Sequence, residues 1–199
     1  LHRFGACKDA LPNAGHGALV ALERAFGERF TLVTQNIDGL HRRAGSQRVF
    51  CIHGDAAHVR CAEGCGLGVV DLPPGLVPRG DGPFTAGERE VLTCPRCGGW
   101  LRPHVLWFDE YYDEEHYRMD SALRAAGAAD LLLVVGTSGA TNLPMQIGRT
   151  VFHRGAALVD VNPEENPFAE MAEASTRGFF ARGSACERLP AIVNELLAS

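Results

Sequence analysis

Apolar runs alternate along this chain with short polar, glycine-bearing breaks, and the length and composition of each run set the element it predicts. Residues 14–26, preceded by Pro12 and Asn13, predict a helix whose first free N–H groups are capped by the Asn13 side-chain oxygen. Residues 30–34 form a short apolar, β-branched run that suits a buried strand. Residues 39–44 predict a helical turn closed by Gly45, and 49–52 a second short strand that delivers His53 and Gly54 at its carboxyl end. From 61 to 100 glycine and proline dominate without periodicity, so this stretch reads as a satellite module. Regular character then returns: a helix over 114–126, an unbroken Leu/Val strand over 130–135 that reads as covered on both faces, a helix over 143–153, a strand over 157–161 and a last helix over 184–197. Strands alternating with helices imply an α/β fold built on a doubly wound parallel sheet.

Composition narrows the classes. A chain of 199 residues with 46% hydrophobic content can bury one substantial core with a small module beside it. A net charge of −5 offers no broad basic field, so direct binding of nucleic acid or an anionic membrane is not expected. No apolar run approaches the roughly 20 residues that span a bilayer, and no secretory pattern opens the chain, so a soluble, cytoplasmic protein is expected. The seven cysteines, odd in number, argue against a disulfide framework.

Four of those cysteines are grouped. Cys61-x3-Cys65 and Cys94-x2-Cys97 have the spacing of a tetrahedral four-thiolate zinc site, and Gly64, Gly66, Gly98 and Gly99 supply the tight knuckles. Four thiolates close the coordination sphere, so the Zn2+ would be structural. Such a ribbon could also bind nucleic acid or protein; the acidic balance weakens the first. In parallel sheets ligands sit beyond the carboxyl ends of the strands, which directs attention to Thr34-Gln35-Asn36-Ile37-Asp38, His53-Gly54, Gly136-Thr137-Ser138 and Asn162, all expected on one rim. His53 can take a proton near neutral pH, although a lone histidine is more often structural. Asn36 and Asp38 alone would pass for a helix cap, Gly136 to Ser138 for any strand-to-helix turn, and Asn162 either reaches a ribose or caps the turn after it.

Taken in order, Pro12-Asn13-Ala14-Gly15-His16, Thr34-Gln35-Asn36-Ile37-Asp38-Gly39-Leu40-His41, Ala44-Gly45, His53-Gly54, the four cysteines, Leu101-Arg102-Pro103-His104-Val105-Leu106-Trp107-Phe108 and Gly136-Thr137-Ser138 resemble the sirtuins over essentially the whole chain. The resemblance implies a Rossmann-like NAD-binding domain over 1–57 and 102–199 with a small zinc module over 58–101. It implies an enzyme that consumes NAD to remove acyl groups from protein lysine, releasing nicotinamide, free lysine and O-acyl-ADP-ribose. By analogy His53 is the general base, with Asn36 and Asp38 beside it in the catalytic set. Gln35, Asn36, Ile37 and Asp38 match the family's nicotinamide and ribose contacts; Gly136, Thr137 and Ser138 its phosphate and adenosine loop; Asn162 its adenine-ribose contact; and Ala185 and Cys186 the segment covering adenine. Residues 105–110 (Val105, Leu106, Trp107, Phe108, Asp109 and Glu110) look like the substrate-binding strand, to which an acylated-lysine peptide adds by backbone hydrogen bonds, the Leu106 carbonyl meeting the lysine Nε–H and Phe108 walling the aliphatic tunnel.

Two departures and one likeness to a single branch qualify the resemblance. Asp109 stands where glycine is usual, and either favours basic residues in the peptide or points to solvent. The 102–108 run is most similar to the desuccinylase-like branch, and Arg3, nine residues before Pro12, falls where that branch places an arginine for a substrate carboxylate, or is an exposed helix arginine. Acetyl and succinyl or malonyl substrates are both compatible. The family's Gly-Ala-Gly-x-Ser phosphate loop is not in this sequence, so the chain by itself is expected to bind NAD poorly. A catalytically silent acyl-lysine or protein binder, or a protein ADP-ribosyltransferase, are the competing readings; a Rossmann dehydrogenase is disfavoured because no Gly-x-Gly-x-x-Gly turn is present.

Overall fold

The computed structural model describes residues 9–76 and 82–198. Along the chain run α1 (Ala14–Phe26), β1 (Leu32–Thr34), α2 (Leu40–Ala44), β2 (Val49–Cys51), β3 (Gly54–Cys61), β4 (Val69–Asp71), α3 (Ala86–Val91), β5 (Leu101–Val105), α4 (Glu114–Tyr117), α5 (Met119–Ala128), β6 (Leu131–Val135), α6 (Asn142–His153), β7 (Ala157–Asn162), α7 (Pro167–Ala174), β8 (Gly178–Arg182) and α8 (Ala185–Ala198). This is a mixed α/β fold containing a parallel sheet. The chain divides into two compact units: the described parts of 1–11, 34–40 and 51–111 form one, and 12–33, 41–50 and 112–199 the other. Strands β1 and β2 pair as a separate two-stranded sheet. No helix among the described residues is long and apolar enough to cross a membrane.

The second unit is organised by β7, which pairs in parallel with β6 on one side and β8 on the other. Flanked on both edges, β7 is buried from Leu158 to Asn162. Its Val159 and Val161 meet Ala18 and Leu22 of α1 and Leu189 and Val193 of α8 in one aliphatic core. The valine and leucine side chains contribute about 1.5–3 kcal/mol each on full burial, the Ala18 methyl less. Helix α1 starts where its cap predicts: the Asn13 side chain accepts from the Gly15 and His16 N–H groups, and the His16 ring returns to the Asn13 backbone N–H.

Two expectations need correction here. The Leu/Val strand ending at Val135 is not covered on both faces: only Val134 is buried, and Leu131 is 36% exposed. Among the described residues β6 has a single strand partner, β7, so it is an edge strand. The helix predicted over 114–126 is two helices, because Arg118 adopts a left-handed conformation (φ 55°) that ends α4, after which α5 runs on to Ala128. Helix α7 and strand β8 fall outside the elements that the apolar pattern predicts.

The first unit is an antiparallel sheet in the order β4-β3-β5. Among the described residues its buried cluster draws on two of the grouped cysteines: Val59, Cys61, Leu76, Leu92, Cys94 and Leu101. Helix α3 secures its start with a reciprocal cap between Thr85 and Glu88.

Candidate active and metal sites

The sequence places His53 just beyond β2, and backbone hydrogen bonds fix what lies beside it. Ile52, fully buried, donates its N–H to Thr34 O at 3.0 Å, and Ala56 donates to Ile37 O at 2.9 Å, which lays 34–38 alongside 52–56. On the other side Leu106 donates to His53 O at 3.0 Å. Gly54 is required at this crossing. A Cβ there would stand 1.9 Å from the His104 carbonyl oxygen, and its φ of +84° lies in the left-handed region. The tight approach of β3 to β5 therefore sets the direction in which His53 leaves the backbone. Burial lowers the His53 pKa below the usual imidazole value, partly offset by a hydrogen bond to the Gln35 backbone. The imidazole is thus neutral, and able to accept a proton, over a wider pH range than a free histidine.

Gln35, Asn36, Ile37 and Asp38 follow β1 as an extended turn. Asn36 donates its backbone N–H to Thr34 Oγ1 at 3.1 Å and its side chain is exposed, while Asp38 Oδ1 accepts from Leu40 N–H at 2.9 Å and caps α2. His53 and 35–38 all belong to the first unit; Gly136, Thr137, Ser138, Asn162, Ala185 and Cys186 all belong to the second.

In the second unit the carboxyl ends of β6 and β7 open on a cleft of about 270 Å³ lined by Gly136, Thr137, Ser138, Asn162, Glu164 and Asn166, among others. The predicted loop residues are thus together. Asn162 holds the cleft's two loops to each other: its Nδ2 donates to Thr137 O at 2.9 Å, and its Oδ1 accepts from Glu164 N–H at 3.3 Å. Asn166, which sequence reasoning missed, caps α7 through Phe168 and Ala169 N–H and donates to Asp160 Oδ2 at 2.7 Å. Its signal is legible, an asparagine before a proline at the first position of a helix. Ala185 and Cys186 open α8, with Cys186 exposed and 3.2 Å from Ser184 Oγ, and neither lines the cleft.

The four paired cysteines converge. The sulfurs of Cys61, Cys65, Cys94 and Cys97 all lie within 4.8 Å of one another, with Cys61 to Cys97 at 3.5 Å and Cys65 to Cys94 at 3.6 Å. A tetrahedral zinc with Zn–S bonds near 2.3 Å needs sulfurs about 3.8 Å apart, so the donor set fits that ion. Their protons are unevenly shared. The Cys65 backbone, then other donors, draw Cys61 down to about 6, while Cys97, lowered by the Gly99 N–H, is nonetheless pushed up to about 12 by its thiol neighbours. Four crowded thiols cannot all ionise without a cation, and a bound metal supplies one.

The stretch 105–110 is strand only as far as Val105; the rest is a turn, not the strand expected. Glu110 N–H closes it by donating to Trp107 O at 3.1 Å. Phe108 is fully exposed, Trp107 is half-exposed, and Asp109 is exposed, in line with the solvent-facing alternative. Arg3 lies outside the described residues.

Against known proteins, residues 2–142 match the Sir2 family. An NAD-dependent protein deacylase of Thermus thermophilus is 42% identical over 186 residues, covering 92% of this chain and 67% of that protein. The solved structure of a Sir2 homologue mutant in complex with ADP-ribose superposes with a TM-score of 0.80 at 32% identity, covering 98% of this chain and 70% of the other. A mutant Sir2 homologue bound to 2'-O-acetyl ADP-ribose gives a TM-score of 0.75 at 32% identity, over 96% of this chain and 68% of the other.

Proposed function

The chain belongs to the Sir2 family of NAD-dependent protein deacylases, and from that premise we propose how its own residues divide the reaction. NAD supplies an electrophilic ribose carbon once nicotinamide departs. His53 takes the proton of a ribose hydroxyl, which frees that oxygen to attack the carbon derived from the acyl group. Asn36 and Asp38, on the segment laid beside His53, contact the nicotinamide and its ribose, and Gln35 and Ile37 hold that segment. Gly136, Thr137 and Ser138 cradle the phosphates with N–H and hydroxyl groups, and Asn162 serves the adenosine side. The acylated lysine lies against Leu106 and Phe108. Cys61, Cys65, Cys94 and Cys97 hold a structural zinc, and four metal-bound thiolates suit a reducing, cytoplasmic setting.

The observation that carries this reading is the backbone lacing of 34–38, 52–56 and 104–106 around His53. Because burial lowers the His53 pKa, the loss of activity on acidification is expected at a midpoint below about 6.5. The test is nicotinamide release from NAD and acylated peptides by the chain supplied with the family's Gly-Ala-Gly-x-Ser segment. His53→Ala is expected to reduce turnover by at least about 100-fold. Undiminished turnover removes His53 as the base. A panel of acetyl, malonyl and succinyl peptides in the same assay fixes the acyl class.

A further inference from the structure

We propose that Glu110 is a positioning residue that ties down the backbone on both sides of Leu106 and thereby presents the Leu106 carbonyl to the acylated lysine. The proposal rests on the deacylase reading above and adds to it the device that holds the peptide-binding segment. Glu110 Oε2 accepts from Trp107 N–H at 2.9 Å and from Arg102 Nη2 at 3.0 Å; Oε1 accepts from Arg60 Nη2 at 3.0 Å and from Arg102 Nη1. Arg102 Nη2 in turn donates to Val105 O at 2.9 Å, and its guanidinium lies 4.3 Å from the centre of the Trp107 ring. One carboxylate and two arginines, all partly shielded from solvent, therefore hold β5, the end of β3 and the 107–110 turn together.

The backbone of the segment shows what the clamp achieves. Val105 O is taken by Arg102, Leu106 N–H by His53 O, Trp107 N–H by Glu110, and Trp107 O by the Glu110 N–H. The Leu106 carbonyl, between them, accepts no hydrogen bond among the described residues. A half-buried acceptor held by fixed neighbours on either side is a preformed site for an N–H donor, which lowers the ordering cost of binding. The same Leu106 N–H bond ties this acceptor to the His53 main chain, so its distance from the base is set by the fold. The charge of Glu110 matters to the device: the Arg102 hydrogen bond is the main cause holding its carboxyl below the usual glutamate range.

The experiment is steady-state kinetics of the chain supplied with the family's Gly-Ala-Gly-x-Ser segment, with acylated peptide and NAD varied separately. Glu110→Gln keeps the shape but removes the charge that both arginines bind. It is expected to raise KM for the peptide about 10-fold, with KM for NAD within about 2-fold and kcat within about 3-fold. Arg60→Lys, which keeps the charge and loses one bond, is expected to raise peptide KM about 2-fold. An unchanged peptide KM in Glu110→Gln overturns the proposal, as does a parallel loss of kcat and both affinities, which marks a purely structural role. Should Glu110→Gln fail to fold, an unchanged peptide KM in Arg60→Lys overturns it instead. Absence of nicotinamide release from the loop-supplied parent removes the deacylase reading itself, whereas an active parent with an indifferent Glu110→Gln removes only the clamp.

Discussion

The two units reach a folded state by opposite means. The parallel-sheet unit is organised around one strand, β7, whose aliphatic side chains meet two long helices in a continuous core. Among the described residues, the buried cluster of the cysteine unit includes two metal-ligand candidates and has four partly buried hydrophobic residues packed on it, against ten on the aliphatic cluster. Strands β3 and β5 of the cysteine unit carry His58, Arg60, Arg102 and His104. His58 sits between Asp55 and Asp71 at 3.4 and 3.5 Å, and Arg60 reaches Glu110. Where apolar surface is scarce, a bound ion and charge pairs must replace it. The residues proposed for chemistry follow the same division: His53 and the Leu106 segment stand on the unit held by directional bonds, where small errors in geometry cost most.

The largest effect should come from removing the metal. Chelation, or Cys94→Ser at a buried ligand, is expected to release about one zinc per chain and abolish hydrogen-exchange protection in β3 and β5, while β6, β7 and β8, whose core shares no residue with the cysteine cluster, keep theirs. Protection lost equally in both sets would erase the contrast between the units. A smaller and opposite effect is expected from Leu158→Ala. Leu158 is fully buried on β7, so the change should cost about 2–5 kcal/mol in urea denaturation and leave the zinc content unchanged. Loss of zinc in that variant would show that the metal site depends on the aliphatic core.

The same division governs how much of the molecule is legible in its amino-acid sequence. Cys61, Cys65, Cys94 and Cys97 stand out because metal ligation demands fixed spacing, and the Asn13 cap, β7 and α8 because long apolar runs between breakers have few alternatives. Strands β3 to β5 give no such signal, because their polar residues are satisfied by partners far along the chain; the bond from Arg60 to Glu110 spans 50 positions and leaves no local trace. The turn at 107–110 reads as strand for the same reason, since its apolar and aromatic residues favour extension and only Glu110 folding back on Trp107 N–H opposes it. The break at Arg118 has no composition signal, being neither glycine nor asparagine. Helix α7 does carry a signal, Asn166 before Pro167, but no long apolar run follows to turn it into a prediction.

The smallest expected effect concerns two carboxylates whose surroundings shift them in opposite directions. Glu110, bound by Arg102, is held below the usual range; Asp160 is fully buried on β7, its Oδ1 has no hydrogen-bond partner, and burial raises its pKa. A raised folded pKa means that the folded state keeps the Asp160 proton to higher pH than the unfolded chain, which releases it near pH 3.9. As pH rises from about 4 through the raised value the unfolded state binds fewer protons, so Asp160 withdraws stability over that interval and no more above it. Glu110 does the reverse, since its stabilisation is present above the unfolded value near 4.3 and is lost as pH falls through the depressed one. Asp160→Asn keeps an oxygen for the Asn166 donor and removes the ionisation. At pH 7 the variant should lie within about 1 kcal/mol of the parent or above it, and its advantage should shrink as pH falls toward 4. Urea denaturation at several pH values measures this difference. A large loss at pH 7 would mean that the buried carboxylate is ionised and stabilised there, and that the parallel-sheet unit compensates its charge as the cysteine unit does.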